Sequence, residues 1–489
     1  MLRSAAAILV QEIADLRSVI SPLELLTPTN YGAMKRQWLE SGRKFFNPQF
    51  IYDLDAIRIN LHQAETILRN LDEVRTYFYA EQSDPLGKLV YNSFDLRCQE
   101  FYYLAIFLQT LLAGTPGDHY EEPLAKLYGT IDTSDLTLAK AMIEKSPAQA
   151  LRDKFTENPD LPEASRKKLD KFFKENLFDF RGMLLEAQKD TLKAKDLDAH
   201  DIAKHFQTVL NYMRKYATLG LHMSAEEAKS PSYQIEISPK YTAVSVRTFS
   251  ASGKSVIGIP VDRKVNGLKL VALVGHELNS HYRSAMSTRN LYRNIIEYCE
   301  EDLLIPLVPF ISHSLNGTMS EALAKFSDIQ VIGANSIPKP YQVLAIDFVK
   351  QGHNFGETME YVFELARQNH KTEDSALNNA WKYAYRIFRG QTDTSSHCGY
   401  AFTKDQCYLR GFTQALREIS QTDDWSIETF PDLLRYSTLT LDEIKAIGDY
   451  ENESKCILND PYRDYPHLIS NCLGEPLLSP VEYAANLLL

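Results

Sequence analysis

The chain has 489 residues, 44% of them hydrophobic and 24% charged, a balance ordinary for a soluble globular protein with a core large enough for two or three domains. Its formal net charge of −11 argues against general nucleic-acid binding, and no apolar run reaches the ~18 residues needed to span a bilayer. The six cysteines are scattered without a C-x-x-C pair. They fit a reducing, cytoplasmic compartment better than a disulfide framework or a cysteine-ligated metal site.

Taken in order, residues 3–20 read as a short amphipathic helix stopped by Ser21-Pro22, within an N-terminal leader over 1–45. The aromatic stretch Phe45–Tyr52 is expected to be extended, because Pro48 disfavours helix in the residue before it. A helical region over 46–230 follows, with periodic patterns at 53–75 and 94–113, a break at Gly114–Asp118 and more charged helices from 120 to 220. Arg166, Lys167, Lys168, Lys171 and Lys174 make one basic face, read as solvated surface. Composition changes after 231. Tyr233–Ile237, Ala243–Val246 and Val256–Ile259 are short β-type runs, a small sheet whose edge could receive an extended peptide. Helices are expected again at 291–307, around Glu321, and at 340–352, 355–368 and 372–388. A Gly/Ser/Thr-rich loop at 390–400 carries His397-Cys398, for which no role is expected without a second pair. In the C-terminal segment, 426–489, Pro461, Pro466, Pro476 and Pro480 should break any long element.

The chemistry concentrates at His276-Glu277-Leu278-Asn279-Ser280-His281. Neutral imidazoles ligate zinc, a catalytic zinc keeps three protein ligands and one open position, and a glutamate directly after the first histidine is placed to act as base. The two histidines are five apart, about 140° on a regular helix at ~100° per residue. A locally wide π-turn brings them together, and such turns occur mostly at functional sites. His200-Asp201-Ile202-Ala203-Lys204-His205 has nearly the same form but lies in a charged, amphipathic stretch, and is read as a solvated helix face. The 276 copy is instead preceded by the almost wholly apolar Leu268–Val274. Glu321 is the expected third ligand. Asp328, seven residues on, falls on roughly the same helix face and can orient a ligating imidazole.

With these residues in view, the chain resembles the microtubule-associated tyrosine carboxypeptidases and their bacterial relatives. Three stretches carry the resemblance in the family's order. His276–His281 is similar to H-E-[IL]-G-T-H, and Ser320-Glu321-Ala322-Leu323-Ala324 to Q-E-G-L-A. Arg386–Gly390 followed by Phe402–Gly411 is similar to R-x-F-R-G…F-T-K-D-x-x-Y-L-x-G. The resemblance implies one zinc per chain on His276, His281 and Glu321, water activation by Glu277, and release of a terminal residue such as tyrosine from a protein tail, tubulin included. Asn279 and Ala322 stand where the family has glycine, which bears on pocket shape.

A carboxypeptidase must also hold a terminal carboxylate. Arg386, Arg389, Lys404 and Arg410 are the candidates, with Tyr408 a donor to the oxyanion and about half of the cations expected in structural ion pairs with acids such as Asp405. The expected fold class is therefore α+β, predominantly α-helical. A small sheet precedes the metal-binding helix inside a zinc metallopeptidase core at 231–425, and neither membrane nor nucleic acid is a partner. The alternatives are a zinc endopeptidase or dipeptidyl peptidase, and a non-catalytic helical binding protein.

Overall fold

The computed structural model describes residues 25–78, 85–114, 120–178, 184, 186–220, 233–239, 241, 243–249, 254–284, 318–368, 372–421 and 478–489. The expected helices at 3–20 and 291–307 lie outside these residues. Before the sheet come α1 (Tyr31–Glu40), α2 (Leu54–Phe78), α3 (Pro85–Ala113), α4 (Glu121–Tyr128), α5 (Thr133–Glu144), α6 (Pro147–Thr156), α7 (Glu163–Phe173) and α8 (Glu186–Lys193). Then follow β1 (Asp196–Leu197), α9 (Ala199–Gly220), β2 (Tyr233–Ile237), β3 (Ser245–Phe249), β4 (Lys254–Ile259) and β5 (Val265–Asn266). After them come α10 (Gly267–Leu273), a π-helix (Val274–Tyr282), α11 (Thr318–Ile332), α12 (Tyr341–Lys350), α13 (Phe355–Arg367), α14 (Glu373–Ile387), α15 (Cys407–Gln421) and α16 (Pro480–Leu488). The fold is mostly helical with small sheets, as the sequence led us to expect. No described helix is long and apolar enough to cross a membrane.

Three large apolar cores organise these elements. The first joins α1–α4 to α12–α14 and is strongly aromatic, with Trp38 stacked on Trp381 at 5.0 Å between ring centroids. The extended Phe45–Tyr52 segment threads through it, burying Phe50 and Tyr52. This segment is tied to the loop after α14, where the Gly390 N–H donates to Tyr52 Oη at 2.9 Å. Gly390 has φ +87°, a conformation that favours glycine, and a Cβ there would displace the Leu111 methyl 2.8 Å away. The second core packs α5, α6 and α7 against α11 and α15. Of the expected basic face, Lys167, Lys171 and Lys174 are exposed, the first two paired with Glu163 and Glu175, but Arg166 and Lys168 are half-buried, so the face is solvated only in part.

The third core surrounds the π-helix with α9, the sheet and α16. In the three-stranded sheet the order is β2-β4-β3, with β2 parallel and β3 antiparallel to β4, which leaves β3 on an edge. Pro480 opens α16 at its first turn, where a proline's missing N–H costs nothing, and Ser479 and Glu482 complete a capping box. One expectation is corrected here. His200 is exposed as expected, but His205 is buried, and burial pulls its imidazole down to about 4. Its ring faces the core with Ile202, Phe206 and Val209, beneath α16.

Candidate metal centre

The approach to the centre is set by local sequence. Asn266 caps α10, its side chain accepting from the Lys269 N–H at 2.8 Å, and Leu270–Leu273 bury the helix. From Val274 the chain widens into the π-helix, so residues five apart fall on the same side, as the spacing predicted. The His276 and His281 rings lie 5.0 Å apart and nearly perpendicular. Glu321, in the first turn of α11, completes the group: His276 Nε2 is 3.6 Å and His281 Nε2 3.9 Å from the same oxygen, Oε2. Among the described residues this is the one cluster of three His, Cys or carboxylate side chains able to hold a metal ion, with its ligand atoms within 4.8 Å of one another. Tetrahedral zinc with bonds of about 2.0–2.1 Å separates its ligands by about 3.4 Å, close to the two histidine–carboxylate spacings of 3.6 and 3.9 Å.

Both imidazoles turn their other nitrogen to a partner. His276 Nδ1 is 3.4 Å from Asp328 Oδ2, which also accepts from Lys325 Nζ at 2.8 Å. His281 Nδ1 is 2.8 Å from Ser320 Oγ. Asp328 is almost wholly buried, in the orienting position its spacing allowed. Ser320 and Lys325, which make these contacts, were not singled out in the sequence. Glu277 is buried, and its Oε2 accepts from the Val246 N–H of β3 at 3.1 Å.

The electrostatics follow from burial and close charges. Burial pushes the Glu277 carboxyl up to about 7, with Glu321 and Asp328 adding to the rise. For His276 burial opposes protonation, yet Asp328 and Glu321 outweigh it and raise the ring to about 9. For His281 burial prevails over Glu321 and lowers it to about 4. Glu321 and Asp328 are held well below the usual carboxylate range despite burial. Glu321 owes this to the two histidines and Lys404, and Asp328 to Lys325, His276 and Lys269.

The four candidate cations are not brought together. Lys404 lies within electrostatic reach of both Glu321 and His281, and Tyr408 within reach of Glu321. Arg386 is engaged by Asp405, with contacts of 2.6 and 2.7 Å, and its Nη2 reaches Tyr408 Oη at 3.4 Å. Arg389 is buried with its guanidinium over the Tyr385 ring, and Arg410 donates to the Thr130 carbonyl. No described contact carries either to the metal cluster. His397 is exposed, with Nδ1 2.7 Å from the Gly352 carbonyl, and Cys398 is exposed beside it.

Residues 340–462 match the family described as microtubule-associated tyrosine carboxypeptidase, the family resembled by the motifs. The matched segment contains the Arg386–Gly390 and Phe402–Gly411 stretches and begins downstream of His276, His281 and Glu321. Its description is that of a carboxypeptidase. No curated protein and no solved structure matches the chain.

Proposed function

We propose that the chain is a zinc-dependent carboxypeptidase that hydrolyses the C-terminal peptide bond of a protein or peptide. The observation that carries this reading is the convergence of His276 Nε2, His281 Nε2 and the Glu321 carboxylate beside Glu277. The family match downstream supports the peptidase class. Two nitrogens and one carboxylate oxygen suit zinc with an open fourth position. A zinc ion bound there supplies Lewis acidity and brings the pKa of a water to about 7.

Glu277 accepts the proton of the attacking water and returns it to the leaving amine nitrogen. The Val246 N–H holds Glu277 Oε2 and leaves Oε1 for this task. Because that N–H points away from β4, alternate backbone groups of β3 face the same way and give an extended substrate an edge to lie along. Tyr408 Oη accepts from Arg386, so its own proton is available to a developing oxyanion. Lys404 is the cation best placed to receive the terminal carboxylate, while Arg386, shared with Asp405, contributes its field. A tyrosine-ending tail of tubulin type is the substrate to try first. We place the catalytic core at 231–425, resting on the aromatic core that residues 26–128 share with 341–402.

The test is hydrolysis of one tyrosine-ending peptide with a free and with an amidated C-terminus, on protein of measured zinc content. Release of tyrosine from the free peptide alone is expected. Equal cleavage of both would favour an endopeptidase, and absence of both zinc and turnover a binding protein.

A further inference from the structure

The two imidazoles are held by unlike groups. Asp328, behind His276, is a carboxylate with Lys325 as its counter-charge. Behind His281 is a neutral hydroxyl, Ser320 Oγ. Ser320 directly precedes Glu321 in the first turn of α11, so one stretch of backbone delivers both the third carboxylate and the group that meets His281.

A hydroxyl can donate or accept, and the choice matters here. If Ser320 donated to Nδ1, the ring proton would sit on Nε2, 3.9 Å from Glu321 Oε2, and would occupy the lone pair that a metal needs. If Nδ1–H donates to Ser320 Oγ, Nε2 presents its lone pair to the site. The partner on one ring nitrogen selects what the other can bind. Resting on the metal reading above, we propose that Ser320 is a positioning residue that holds His281 as the Nδ1–H tautomer and so sets the metal affinity of the site.

The experiment compares the full chain with its Ser320→Ala and Ser320→Thr variants, stripped of metal and titrated with zinc against a chromophoric chelator. Removing such a partner is expected to weaken zinc binding about ten- to a hundredfold in Ser320→Ala, with Ser320→Thr, which keeps the hydroxyl, close to wild type. Cobalt substitution should show an altered visible spectrum in the alanine variant only. Wild-type protein that binds one zinc while Ser320→Ala binds it equally tightly overturns the proposal and leaves the metal reading standing. Wild-type protein that takes no zinc overturns both. Nitrogen-15 NMR of histidine in the wild type needs no variant: a protonated Nδ1 on His281 is expected, and a protonated Nε2 would overturn the assignment.

Discussion

Glu277→Gln separates the contact that its carboxylate makes with Val246 from the proton transfer proposed for it. Glutamine keeps the shape and an acceptor for the Val246 N–H but cannot take a proton. In the zinc-loaded protein, turnover should fall by about 10²–10⁴ with zinc content unchanged, the usual worth of a positioned base. In the metal-free protein the same change should alter stability with pH. Burial raises the folded-state pKa of Glu277 from 4.5 to about 7. A raised folded pKa gives stability that is complete below the unfolded value and is lost as pH rises through the folded one. The wild type should therefore weaken relative to the glutamine variant between pH 5 and 8. The displacement is worth about 3 kcal/mol in total at 1.36 kcal/mol per unit, of which about 2.5 kcal/mol falls in that window. Urea unfolding of both proteins at several pH values measures it directly. Parallel pH dependence would show that the carboxyl is not charged at a cost in the folded state, and unchanged turnover would remove it as the base.

Two further changes probe the supports. Asp328→Asn leaves His276 without its carboxylate, so zinc affinity should fall about ten- to a hundredfold in a chelator competition. In the metal-free protein, His276, raised to about 9, gives stability below 6.5 that is lost as pH rises through the folded value. The variant's deficit in urea unfolding should accordingly be larger at pH 6 than at pH 10. Asp405→Asn leaves the Arg386 guanidinium without its counter-charge and should cost about 3 kcal/mol in the same assay. A loss of catalysis without loss of stability there would mean that the pair serves the substrate and not the fold.

What was legible in the sequence follows from local rules. The five-residue spacing of His276 and His281 demanded a widened turn once both were taken as ligands, and the apolar lead at Leu268–Val274 marked the helix as buried. The helices at 341–350, 355–367 and 373–387 lie close to where their periodicity put them. His205 was misread for a non-local reason: what covers it is α16, some 280 residues onward, although Ile202 and Val209 on the same face were a usable sign. The four cations were grouped as candidates for one task, holding a terminal carboxylate. Helix geometry alone could have set Arg410 apart from Tyr408, since two residues apart they point in nearly opposite directions at ~100° per residue. Asp405 was expected to pair with one or more of these cations and does so with Arg386. Which cation it takes depends on how the 3₁₀ turn at Thr403–Gln406 meets α14, which no local pattern encodes. Ser320 went unremarked because a serine beside a glutamate has no signal until the facing histidine is in place.

The net charge of −11 also misdirects when read as a property of the site. Exposed charges beyond about 8 Å are screened at physiological ionic strength, whereas buried neighbours are not. Cations act on two of the three buried carboxylates, Lys404 on Glu321 and Lys325 and Lys269 on Asp328, whereas Glu277 feels Glu321 and Asp328 as like charges. The cations keep two buried carboxylates ionised without a metal, one ready to ligate and one to orient. Glu277, with like charges beside it and burial against it, is raised to about 7, a value that suits the proposed base, which must both take a proton and give it back.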